Sequence, residues 1–217
     1  MKPRLLLFTS IILLSFLLSC KAASSLLDTG EEQGGKLLFQ DDFSNPSSGW
    51  KRVVTDDGVT DYHNGSYRIL VNTTNTDVWS NPGLRFNDAV IEVEATKAGG
   101  DDNNDFGVIC RYQNSDNFYF FVISSDGYYG IGKVLNGQQM LIGMESMLPT
   151  EVIKQGNATN FVRSECVGSA LRLSVNGELL AETEDSSFTT GDVGLLAGSF
   201  DVPGTDIRFD NFVVREP

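Results

Sequence analysis

The chain has 217 residues, with 29 Asp or Glu against 16 Lys or Arg and a single histidine. That length fits one domain of ordinary size once a leader is removed. The net charge of −13 repels nucleic-acid phosphates and anionic lipid headgroups, which excludes a nucleic-acid partner and charge-driven adhesion to a membrane surface.

Lys2 and Arg4 precede an apolar run, Leu5 to Leu18, that is short for a membrane span and suits the core of a signal peptide. The run ends in Leu17-Leu18-Ser19-Cys20. This resembles the bacterial lipobox, in which an apolar residue, a spacer and a small residue precede the Cys that is lipid-modified and becomes N-terminal. On that resemblance residues 1–19 are a lipoprotein signal peptide. Cys20 then carries an acyl anchor, the bilayer is a partner, and the protein is extracytoplasmic on a bacterial membrane; several buried acyl chains hold where one does not. Losing Lys2 and Arg4 leaves 14 basic against 29 acidic residues, a net of −15. Residues 20–36, the lipidated Cys and KAASSLLDTGEEQGGK, read as a flexible tether, and residues 37–217 as one folded domain.

From Leu37 the pattern is short strands between turns. Leu37 to Gln40 runs into Asp41-Asp42-Phe43, and a loop of Asn, Pro, Ser and Gly delivers Trp50 to the core. Tyr67 to Val71 is a strand after the Asn64-Gly65 turn. Ala89 to Thr96 alternates Glu92 and Glu94 on one face with Ile91, Val93 and Ala95 on the other. An acidic loop, Gly99 to Asp105, leads into the most strand-like stretch, Asp105 to Ile131. There turns at Gln113–Asn117 and Ser124–Gly127 divide a meander whose two faces are both apolar or aromatic. Such strands are central, with one face in the core and the other covered or lining an aromatic groove. Asn136-Gly137 and Asn176-Gly177 mark two further hairpins. Met144 to Gly156 reads as a long connection, and strands over Phe161–Val167, Leu171–Val175, Val193–Ala197 and Ile207–Val214 complete the chain. About a dozen strands and no helical period predict an antiparallel sandwich.

The three cysteines are Cys20, Cys110 and Cys166. With Cys20 reserved for lipid, export to an oxidising compartment favours a Cys110–Cys166 disulfide over two buried thiols.

In this order and spacing, Asp41-Asp42-Phe43, Gly49-Trp50, Tyr67-Arg68-Ile69, Phe106-Gly107-Val108, Asp126-Gly127, Val175-Asn176-Gly177, Gly191 to Leu195 and Phe209-Asp210-Asn211-Phe212 carry a family resemblance. The chain resembles the concanavalin A-like lectin/glucanase superfamily, and within it the laminin-G-like domains of the 3-keto-disaccharide hydrolase type. The resemblance implies an all-β, antiparallel jelly-roll β-sandwich. Such folds host several functions; the expectation is a non-catalytic, carbohydrate-binding module on a surface-anchored lipoprotein, with a glycoside-processing hydrolase and a structural or protein-binding module as the alternatives.

The resemblance also implies a structural calcium near Asp41, Asp42 and Asp210, where first and last strands meet; no other cofactor is required. The loop of Asp101, Asp102, Asn103 and Asp105 is a second candidate. For a sugar ligand, which stacks its C–H faces on flat aromatics beside polar groups, the candidates are Trp79, Tyr112, Tyr119, Tyr128 and Tyr129, with Arg111 and Asn117 as neighbours. Catalysis has little to stand on. His63 sits alone beside a turn, and no G-x-S-x-G elbow exists. Glu92 and Glu94, the weak catalytic candidates, are ~7 Å apart on one strand, wider than the ~5.5 Å of a retaining pair. The longer E-x-D-x-x-E pattern is absent, so a solvated charged face is the better reading.

Overall fold

The computed structural model describes residues 35–217. The expected signal peptide, Cys20 and the tether up to residue 34 lie outside the described residues, while Lys36, the last residue of the expected tether, accepts a hydrogen bond from Glu216 N. Among those described, sixteen strands form and no helix. In chain order they begin β1 (Leu37–Asp41), β2 (Val53–Val54), β3 (Gly58–His63), β4 (Ser66–Val71), β5 (Thr76–Ser80), β6 (Ala89–Gly99), β7 (Asn104–Asn114) and β8 (Asn117–Ile123). They continue β9 (Tyr128–Leu135), β10 (Gln138–Leu141), β11 (Leu148–Pro149), β12 (Thr159–Val167), β13 (Ala170–Val175), β14 (Glu178–Glu184), β15 (Asp192–Ser199) and β16 (Thr205–Arg215). The sequence reading did not resolve β3, β5 or β14, nor the two-residue strands β2 and β11.

All strands pair antiparallel. One sheet of nine runs β14-β13-β12-β6-β16-β4-β3-β2, with β1 also on β16. The other, of seven, runs β10-β9-β8-β7-β15-β5, with β11 also on β9. The Asn-Gly pairs make the tight turns, with φ of 52° and 79° at Asn64 and Gly65 and 50° and 90° at Asn176 and Gly177. Positive φ at both positions matches the turn to the right-handed strand twist.

The core lies between the sheets. Phe106, Val108 and Cys110 of β7 and Tyr119, Phe121 and Ile123 of β8 face it, opposite Ile91, Val93, Val162 and Leu171 of the larger sheet. Ile109, Phe118, Phe120 and Val122 face away, in a second apolar cluster with Leu196. Both faces of the central meander are therefore covered. The Cys110–Cys166 disulfide joins β7 to β12, hence sheet to sheet, with Cα atoms 6.8 Å apart.

Alternation along β7 breaks at Arg111, whose φ is 52°. Pairing with β8 slips after Cys110, and pairing with β15 slips between Asp192 and Gly194. This bulge turns Arg111 inward and sends Tyr112 to the other face, against Phe118 at 5.5 Å. Arg111 is 2% exposed. Its guanidinium donates to the carbonyls of Asn87, Gly168 and Phe188 and to Asp88 Oδ1. It is a clamp between loops and not, as its alternation implies, a ligand-facing residue.

Candidate ligand-binding site

Strand β5 reads Thr-Asp-Val-Trp-Ser, so Asp77 and Trp79 share a face while Val78 packs on the core. Trp79 lies 5.6 Å from Phe118 of β8, three positions away in the sheet. Gln139 of β10, at the opposite edge, lines the same cleft as Asp77 and Trp79. A sheet whose two edges border one hollow is curled, and the face they share is concave. There a cleft of about 410 Å³ is lined by Asp77, Trp79, Asp105, Asp116, Phe118 and Gln139 among others.

Glycine shapes its floor. Gly198 of β15 pairs with Asp77 on one side and Asp105 on the other. A Cβ on Gly198 would stand 2.0 Å from Asp105 Oδ1 and 2.2 Å from Asp77 Oδ1. The two carboxylates therefore lean over the glycine into one small space, their oxygens within a few ångström of each other. Asp105 is 4% exposed, and its Oδ1 has no hydrogen-bond partner. Burial first, and then the charge of Asp77, push the Asp105 carboxyl well above the ordinary carboxylate range. Burial also raises Asp77, against the opposing effect of the Gln139 amide. Two carboxylates this close, away from water, raise the cost of ionising both.

Toward the other end the concave face is closed. The Phe120 ring lies over Gly132, and Leu141 and Met147 pack on the cluster beneath. Beside this closed part a second hollow of about 600 Å³ is lined by Asn103, Ser124, Asp126, Tyr128, Met147 and Phe200, and Phe200 borders both hollows.

Of the residues expected from the sequence to meet a ligand, Trp79 lines the first cleft and Tyr128, 40% exposed, the second. Tyr129 is half-buried against the core. Tyr119 is fully buried, contrary to expectation, because its parity is that of the core. Its hydroxyl donates to Asp185 Oδ1 at 2.6 Å, and burial together with that carboxylate raises the phenol to about 12. Glu92 and Glu94 lie on the larger sheet, away from the cleft. Arg163 holds Glu92 at 2.5 Å and Arg215 stands at 3.8 Å, while Glu94 accepts from Asn211. Glu92 thus belongs to a ladder of surface ion pairs.

The calcium candidates also have other partners. Asp41 accepts from Phe43 N and Ser48 Oγ, which shapes the loop that delivers Trp50. Asp42 accepts from Ser44. Asp210, raised first by burial and then by Glu94 and Asp42, accepts from Asn211 N. In the acidic loop, Lys97 pairs with Asp102, and Asp105 turns away onto the concave face. Among the described residues, no three His, Cys, Asp or Glu side chains gather closely enough to hold a metal.

The sequence reading missed the Asp77–Asp105 pair. The signal for Asp77 was there in the two-residue spacing to Trp79, but the meeting with Asp105 needs β15 to lie between β5 and β7.

No protein-family model matches the chain, and no curated protein matches it in sequence. Solved structures match in fold. The carbohydrate binding module CBM66 from Bacillus subtilis aligns with a TM-score of 0.63 at 18% identity, over 78% of this chain and 96% of that one. A protein of unknown function with a galectin-like fold from Bacillus subtilis aligns at 0.63 and 11%, over 85% and 97%. A β-glucanase from Bacillus licheniformis aligns at 0.60 and 12%, over 86% and 100%. At such identities the likeness defines the class of fold, an antiparallel jelly-roll sandwich of the concanavalin A-like type.

Proposed function

We propose that this chain is a non-catalytic carbohydrate-binding module, held outside the cytoplasm by a lipid on Cys20. The observation that carries the binding reading is Trp79, partly buried on the Phe118 cluster yet lining the concave cleft beside two acceptor carboxylates. A sugar ring presents C–H faces to an aromatic plane and hydroxyl donors to carboxylate oxygens, and this cleft offers both. The likeness in fold to a carbohydrate binding module and a β-glucanase is in keeping with it. The cleft does not suit hydrolysis. A retaining pair keeps its carboxyls about 5–5.5 Å apart with the sugar between them, whereas Asp77 and Asp105 lean into one space over Gly198.

A glycan array probed with the described domain tests the proposal. The wild type should bind a defined subset of glycans. Trp79→Ala should weaken that binding at least tenfold, a loss of about 1.4 kcal/mol, while Glu92→Gln and Glu94→Gln bind like the wild type. A blank array, or a Trp79→Ala variant that binds unchanged, would refute it.

A further inference from the structure

The concave cleft carries an unusual imbalance of charge. Asp77, Asp105 and Asp116 all line it. Among the described residues, Lys97 is paired with Asp102, Lys133 with Asp185 and Arg111 with Asp88, and no ion pair involves Asp77 or Asp105. The side chain that lines the cleft from the far edge of the sheet, Gln139, is uncharged. Asp105 Oδ1, buried and pointing over Gly198, is an acceptor with no donor. Buried polar atoms in folded proteins nearly always have a partner, so one left open at the floor of a cleft marks where a ligand's donor belongs.

We infer that the Asp77–Asp105 pair sets the specificity of the cleft, accepting hydroxyl or ammonium donors of neutral and amine-bearing sugars and rejecting uronic-acid and sulfated glycans. This deepens the carbohydrate-binding reading and rests on it. The physical basis is asymmetric. A sugar hydroxyl supplies the donor that Asp105 Oδ1 lacks, and an ammonium also neutralises the pair. A ligand carboxylate or sulfate brings a further acidic group into a cleft lined by three acids and by no Lys or Arg, where like charges repel. Trp79 contributes stacking that is indifferent to ligand charge. The two parts of the cleft are therefore separable by mutation.

The test is a glycan array of neutral, amino, uronic and sulfated oligosaccharides at pH 7, followed by titration calorimetry with matched neutral and uronic pairs. The inference expects the wild type to prefer the neutral or amino member at least tenfold. Asp77→Asn with Asp105→Asn keeps the side-chain shape and removes the charge. This double variant should fold, as judged by its circular dichroism and melting temperature, and should narrow the preference to less than threefold. Trp79→Ala should weaken both members of each pair alike. Equal or tighter binding of the acidic member by the wild type, or an undiminished preference in the double variant, overturns the inference and leaves carbohydrate binding standing. An array blank to every class overturns both.

Discussion

Asp105 shows how a single residue can serve a site at the expense of the fold. It is buried, one oxygen is unpartnered, and the nearest charge is another carboxylate. Because its native pKa lies above the unfolded value of about 3.9, the unfolded chain gives up this proton first. The stability associated with the protonated form is fully present below about pH 4 and is lost as pH rises through the native pKa. Asp105→Asn removes that liability while keeping the side-chain volume. It should stabilise the protein by about 1–3 kcal/mol at pH 8, and the gain over wild type should shrink steadily as pH falls toward 4. Denaturant melts of both proteins at pH 4, 6 and 8 measure this; a gain that is absent at pH 8, or equal at all three, contradicts the assignment. None of this was legible in the sequence, where Asp105 is simply the last acid of an acidic loop. Tyr119 and Arg111 were misread for a different reason. Which parity of a two-sided apolar strand faces the core is decided by the partner sheet, and a bulge at Arg111 reverses the alternation that counting relies on.

Strands and turns were far more legible, because they are specified locally. The Asn-Gly turns and the alternation in β6, β12, β13 and β16 all appear in the structure where their residues imply. Among the strands that the sequence does not reveal, β5 is a short edge strand whose Asp77 and Trp79 face the cleft, so it lacks the apolar run that marks its neighbours. Cys110 and Cys166 lie 56 residues apart in sequence, on strands of different sheets. Closing a loop of that length stabilises by about 4 kcal/mol through the unfolded state. Cys110→Ala with Cys166→Ala should therefore melt about 10 °C lower than the wild type. The same variant should keep its glycan binding, since both cysteines face the core and not the concave cleft. A melting temperature within 2 °C of wild type would show that the bridge contributes little.

At the scale of the whole molecule the two sheets have opposite characters on their outward faces. The nine-stranded sheet is a lattice of paired charges: Arg163 with Glu92 and Glu165, Arg172 with Glu165 and Glu182, and Arg68 with Asp206. These charges are paired with one another within the sheet. The seven-stranded sheet has its unpaired acids on the concave side, beside Trp79. With a net charge of −15 once Lys2 and Arg4 are lost, the domain's surface gains nothing from anionic headgroups, so the membrane attachment we propose rests on the lipid on Cys20 alone. Cys20→Ser separates the two. The wild type should partition into the detergent phase and incorporate labelled palmitate, whereas the Cys20→Ser form should remain aqueous and unlabelled. Both should give the same glycan-array profile, because the cleft is built entirely from residues of the folded domain. If wild-type protein stays in the aqueous phase, the anchor is wrong and the binding site is untouched. If the Cys20→Ser form is aqueous but has lost its glycans, then presentation at the membrane, and not the cleft alone, governs what this protein binds.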